Sequence, residues 1–168
     1  MFDTVLIAGL GLMGGSMAKT IKARTLSRVL GWNRTRATAE QALADGSIDA
    51  IATEALYKEA DLVIIGLYPQ ATVDWLLENM PKMKKGCVIV DMVGVKQFMV
   101  DHLEQAALDA GVHYVGGHPM AGREFSGLDY SLPTLFDGAS MIFVPTKSST
   151  ERVLEQLEAY FMSLGFGQ

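Results

Sequence analysis

Three short stretches of this sequence combine residue types and spacings suited to chemistry. Gly9-Leu10-Gly11-Leu12-Met13-Gly14 is a G-x-G-x-x-G run. Trp32-Asn33-Arg34-Thr35-Arg36 gathers an amide, a hydroxyl and two guanidinium groups. Gly116-Gly117-His118-Pro119-Met120-Ala121-Gly122-Arg123-Glu124 sets an imidazole between paired glycines and a proline.

A glycine run alone says little in a chain with 17 glycines. Its setting says more, because it follows the apolar run Val5-Leu6-Ile7-Ala8 and opens a helical pattern through Met17, Ala18 and Ile21. A strand, a glycine turn and a helix in that order form a dinucleotide-binding fingerprint. Gly9 permits the tight turn and Gly11 a close backbone approach to a pyrophosphate. Gly14 lets helix and strand pack, so that the amides of Leu10, Leu12 and Met13 border the phosphates. In such units an acid after the second strand usually meets the ribose 2′-hydroxyl. Here the corresponding residue is Asn33, followed by Arg34 and Thr35. An acid would repel a 2′-phosphate, whereas an amide, a hydroxyl and a guanidinium can bind one. The expected cofactor is therefore NADP rather than NAD.

His118 is expected at the end of a buried strand. An imidazole there can take a proton from a hydroxyl while hydride leaves the same carbon. His102, inside a helical stretch, and His113, at the start of a strand, read as structural. Open α/β sheets bind ligands outside the carboxyl ends of their strands. Two further stretches fall at such ends. Leu67-Tyr68-Pro69 is expected against the cofactor, with Pro69 opening the next helix. The other is Asp91-Met92-Val93-Gly94-Val95-Lys96.

Apolar runs at Thr4–Ala8, Arg28–Trp32, Leu62–Leu67, Cys87–Asp91, His113–Gly116 and Ser140–Val144 predict the strands that carry these stretches. Between them lie helical periods. Val73, Leu76, Leu77 and Met80 predict a helix over Gln70–Met80, ending near Pro81. Met99, Leu103, Ala106 and Ala110 predict another, stopped by Gly111. Val153, Leu157, Tyr160, Phe161 and Leu164 mark a last one. This alternation implies an α/β fold, with a mostly parallel sheet and helices on both faces.

The chain has 168 residues, the size of one domain, with 49% hydrophobic and 20% charged residues. A net charge of −5 argues against nucleic acid as a partner. The apolar N-terminus lacks a basic flank and is broken by glycines, and Leu62–Tyr68 is too short to span a bilayer. The one cysteine, Cys87, sits among apolar residues and reads as buried. Together these features predict a cytoplasmic protein without a membrane partner.

Gly9-Leu10-Gly11-Leu12-Met13-Gly14-Gly15-Ser16, then Asp91-…-Val95-Lys96, then Gly117-His118-Pro119-Met120-Ala121-Gly122-…-Glu124-…-Ser126-Gly127 resemble, in order and spacing, the prephenate/arogenate dehydrogenases. The His-Pro-Met-Ala-Gly run is the most specific of these. The resemblance implies a Rossmann-type doubly wound fold and NADP-linked or NAD-linked oxidative decarboxylation of prephenate or arogenate, on the route to tyrosine. It places His118 and Lys96 in the catalytic set and Gly122, Arg123 and Glu124, with His118, near the substrate. The family commonly carries a serine where this chain has Gly94. At position 123 it often carries a small or hydroxyl residue. The resemblance also implies a following helical domain that dimerises and completes the substrate pocket; residues 1–168 correspond to the dinucleotide-binding domain alone. Two other readings are open: a dehydrogenase of the β-hydroxyacid type, which shares the glycine run and Asn33-Arg34-Thr35, and a nucleotide-binding module without chemistry.

Overall fold

Each stretch singled out above begins at or near the end of a strand in one sheet. The computed structural model describes residues 1–167. In it β1 (Thr4–Ala8), β2 (Arg28–Trp32), β3 (Ala50–Ile51), β4 (Leu62–Ile65), β5 (Val88–Asp91), β6 (His113–Pro119) and β7 (Met141–Val144) form one sheet in the order β3-β2-β1-β4-β5-β6-β7. All neighbours pair in parallel except β6 and β7, which are antiparallel. The helices are α1 (Leu12–Arg24), α2 (Arg36–Ala44), α3 (Glu54–Tyr57), α4 (Pro69–Asn79), α5 (Lys96–Ala110) and α6 (Glu151–Ser163).

The central strands are buried on both faces, which is why they read as continuous apolar runs. Val5 and Ile7 join a core shared with Met17, Ile21, Leu157 and Phe161, while Leu6 and Ala8 join Val73, Leu76, Met99 and Leu103 on the other side. Each fully buried Leu, Ile or Val stabilises by about 1.5–3 kcal/mol, so the strand ends have a firm base. The chain reverses its winding between β1 and β4, which are adjacent although β2 and β3 intervene in sequence. That crevice is where open sheets hold ligands.

Two strand boundaries near the site differ from the sequence expectation. β4 stops at Ile65, leaving Gly66-Leu67-Tyr68 as a turn into α4. β6 runs on to Pro119, so His118 lies within a strand, paired with Ile142. The two-residue β3 and the helix α2, which buries only Ala39 and Ala42, carry little apolar pattern.

Candidate functional site

The glycine loop closes on itself. Gly9 has φ +93° and abuts the turn after β4: a Cβ there would lie 2.6 Å from the Gly66 carbonyl oxygen. At Gly14 a Cβ would fall 1.7 Å from the Gly9 oxygen. Position 11 is different, since a Cβ would meet nothing within 4 Å. Gly9 and Gly14 are thus required by the chain's own packing, but Gly11 is not. The helix that follows has no side-chain cap and no acid in its first turn, so its leading N–H groups are left for an anion. A cradle of bare amides beside open space fits a dinucleotide pyrophosphate.

Asn33 holds this loop from the next strand. Its Oδ1 accepts from the Leu10 N–H at 2.9 Å and its Nδ2 donates to the Thr35 carbonyl at 3.1 Å. Sequence reasoning aimed this amide at the cofactor; the structure commits its oxygen to the loop and one of its N–H groups to its own turn. Thr35 precedes α2 without a side-chain cap bond. Arg36 pairs with Glu40 at 3.1 Å, while Arg34 is exposed and makes no salt bridge among the described residues. On the opposite side of Gly9, Leu67 is half-buried, Tyr68 is 86% exposed, and Pro69 opens α4. The Thr72 hydroxyl donates to the Leu67 and Tyr68 carbonyls and fixes that turn.

A second cluster lies at the ends of β5 and β6. His118 Nδ1 is buried without a hydrogen-bond partner. Nε2 makes no hydrogen bond among the described residues either, but is not sealed off, and so is the nitrogen open to a ligand. The ring faces Gly94: a Cβ at that position would lie 3.4 Å from Cε1 and 3.7 Å from Nδ1. Among the described residues no hydroxyl hydrogen-bonds the His118 ring. Below this contact Asp91 is fully buried and accepts three hydrogen bonds, from Lys96 Nζ, the Val93 N–H at 2.8 Å and the Tyr114 hydroxyl at 2.5 Å. Lys96, 16% exposed in its side chain, directs its ammonium to Asp91. Burial holds that ammonium below its ordinary pKa, with the Asp91 charge opposing the shift. Burial, reinforced by Asp91, drives the Tyr114 phenol far above its usual range, so it stays a donor. Sequence reasoning missed Asp91 and Tyr114 as a pair. The available signal was a carboxylate ending the apolar run Cys87-Val88-Ile89-Val90.

The loop after β6 makes a third group. Arg123 Nη1 donates to the Tyr130 carbonyl at 2.9 Å, and the guanidinium stands 5.4 Å above the Phe125 ring, which stacks on Tyr130. Among the described residues no hydrogen bond or ion pair joins Arg123 or Glu124 to His118, and Gly122 borders open space. The loop is anchored on α1, where Lys19 Nζ donates to the Ser131 carbonyl and the Leu132 N–H to Ser16 Oγ. No group of residues suited to a metal ion occurs among those described. No helix among them is long and apolar enough to cross a membrane.

Sheet order, glycine cradle and strand-end histidine define a dinucleotide-binding domain of the dehydrogenase type. The family model of the prephenate dehydrogenase nucleotide-binding domain matches residues 17–166, and the chain belongs to that family. A prephenate dehydrogenase of Bacillus subtilis is 36% identical over 162 residues, covering 94% of this chain and 43% of the relative. Among solved structures, prephenate dehydrogenase from A. aeolicus in complex with hydroxyphenyl propionate and NAD+ superposes with a TM-score of 0.88 at 27% identity. It covers 99% of this chain and 58% of that one. Synechocystis arogenate dehydrogenase gives 0.87 at 25% identity, over 97% and 57% of the two chains. The chain thus spans about half the length of these relatives, 43% in the Bacillus case.

Proposed function

We propose that this chain binds NADP across its glycine loop and forms the cofactor half of a dehydrogenase that oxidatively decarboxylates prephenate or arogenate. The observation that carries the reading is His118, with Nδ1 sealed and Nε2 open, at the same edge of the sheet as the cradle. A nicotinamide dinucleotide held by the Gly9–Gly14 loop would supply the acceptor for hydride from the ring carbon that bears the hydroxyl. His118 accepts the hydroxyl proton as that hydride leaves, the ring carboxylate departs as CO₂, and the proton returns to the new phenol oxygen. Lys96, whose stem crosses Gly116 two residues before His118, belongs to the catalytic set through its ion pair with the buried Asp91 at the base of the histidine. Gly122, Arg123 and Glu124 border the substrate, with Arg123 the candidate for a carboxylate. A helical domain, corresponding to the rest of the relatives' length, would complete the pocket and form a homodimer.

The direct test is NADPH formation with prephenate and, separately, with arogenate. It should be measured for this chain and for any longer protein containing it. Bound NADP with no NADPH from either substrate would sink the reading.

NADP is favoured over NAD because Asn33 stands where an acid is customary and Arg34 makes no ion pair among the described residues. Arg34→Ala should weaken NADP binding about tenfold or more, the worth of one charge-assisted hydrogen bond, and leave NAD binding almost unchanged. Titration of both nucleotides by fluorescence decides it, and an equal loss for both removes the assignment.

A further inference from the structure

A Cβ at Gly94 would just reach the His118 ring, and the residues on either side of that glycine are tied to one carboxylate. Asp91 Oδ1 accepts from the Val93 N–H, the residue before Gly94, and from Lys96 Nζ, two residues after it. Asp91 Oδ2 accepts from Tyr114 on the neighbouring strand that carries His118. The backbone is fitted as closely. A Cβ on Gly117 would lie 2.3 Å from the Asp91 carbonyl oxygen, and one on Gly116 would lie 2.9 Å from Lys96 Cδ. The paired glycines before His118 therefore admit the Asp91 backbone and the Lys96 stem.

We infer that Asp91 is a positioning residue: it sets where the Val93–Lys96 turn lies beside His118 and so fixes the space in which the imidazole is oriented. Stability alone does not account for a fully buried carboxylate here, since apolar replacements of buried ionic groups are often neutral or stabilising. What an apolar residue could not do is hold both flanks of Gly94 and the β6 side chain at once. The inference rests on His118 being the working base, but its geometry can be read without turnover.

The test is histidine NMR on the whole chain, with the ring resonances of His118 assigned by their absence in His118→Asn. Asp91→Asn should shift the His118 ring resonances and leave those of His102, which bonds to Phe98 on α5, in place. Tyr114→Phe changes no charge but frees Oδ2, and should shift His118 in the same direction by less. Ile21→Ala, a remote core change on α1 that lowers the melting temperature, should move neither. Unshifted His118 resonances in Tyr114→Phe overturn the inference, as does an equal shift in Ile21→Ala; should Asp91→Asn not fold, these two variants decide. In a protein that turns over, Asp91→Asn should lower kcat about 10²-fold, the scale of a small misplacement of a reacting group, with the cofactor KM unchanged. Failure of turnover in the parent would reject the proposed reaction and leave the NMR result standing.

Discussion

His118→Asn is expected to lower turnover by about 10²–10⁴-fold, the range for loss of a general base, while leaving NADP affinity nearly unchanged. The reason lies in where the residue is held. His118 sits inside β6, paired with Ile142, so its backbone stays put when the ring is removed. Its Nδ1 is enclosed and unpartnered against Gly94, which leaves Nε2 as the nitrogen that can take a proton. Asparagine fills the inner part of that space and offers an amide, which is not a base. The glycine cradle belongs to a different strand end, after β1, and should not sense the change. Steady-state kinetics with separate nucleotide titrations give the answer. An equal loss of binding and turnover would mean that the ring only supports the fold.

Legibility in the sequence followed the strength of the local pattern. The central strands were plain because burial on both faces leaves no polar interruption, as in Leu62–Ile65. α2 and β3 were not, because Ala39 and Ala42 bury little area and β3 spans two half-buried residues. Gly116-Gly117 suggested the end of a strand, yet β6 passes straight through them. They are glycines because Lys96 and Asp91 press against the strand from outside, and those contacts come from distant parts of the chain. Asn33 shows the same limit. Its position after β2 was visible, but its bond to Leu10 joins residues 23 apart and appears only in the folded chain. The glycine run, the histidine and the basic turn were legible because their chemistry is local. Asp91 with Tyr114 was not, because a shared hydrogen bond across two strands leaves no spacing to read.

The two inner glycines of the loop should respond to alanine in opposite ways. Gly14→Ala places a methyl group 1.7 Å from the Gly9 oxygen. Gly9 cannot retreat, since it is held at φ +93° against the Gly66 carbonyl and its N–H bonds to the Trp32 carbonyl at 2.8 Å. Overpacking of this kind costs about 1–3 kcal/mol even among side chains that can move, and here both partners are backbone. Gly14→Ala is therefore expected to lose at least about 3 kcal/mol of stability, read by denaturant unfolding, and to lose nucleotide binding with it. Gly11→Ala meets nothing within 4 Å and has an ordinary extended backbone, φ −81° and ψ −152°. As an N-cap change it should cost only about 0.5–1 kcal/mol. Its methyl group nevertheless projects into the space assigned to the pyrophosphate, so NADP and NAD should both weaken, without selectivity between them. A stable Gly11→Ala that binds NADP like the parent would show that the open space before α1 is not where the nucleotide lies. The stable, non-binding variant would instead show that Gly11 is a glycine for the ligand's sake and Gly14 for the fold's.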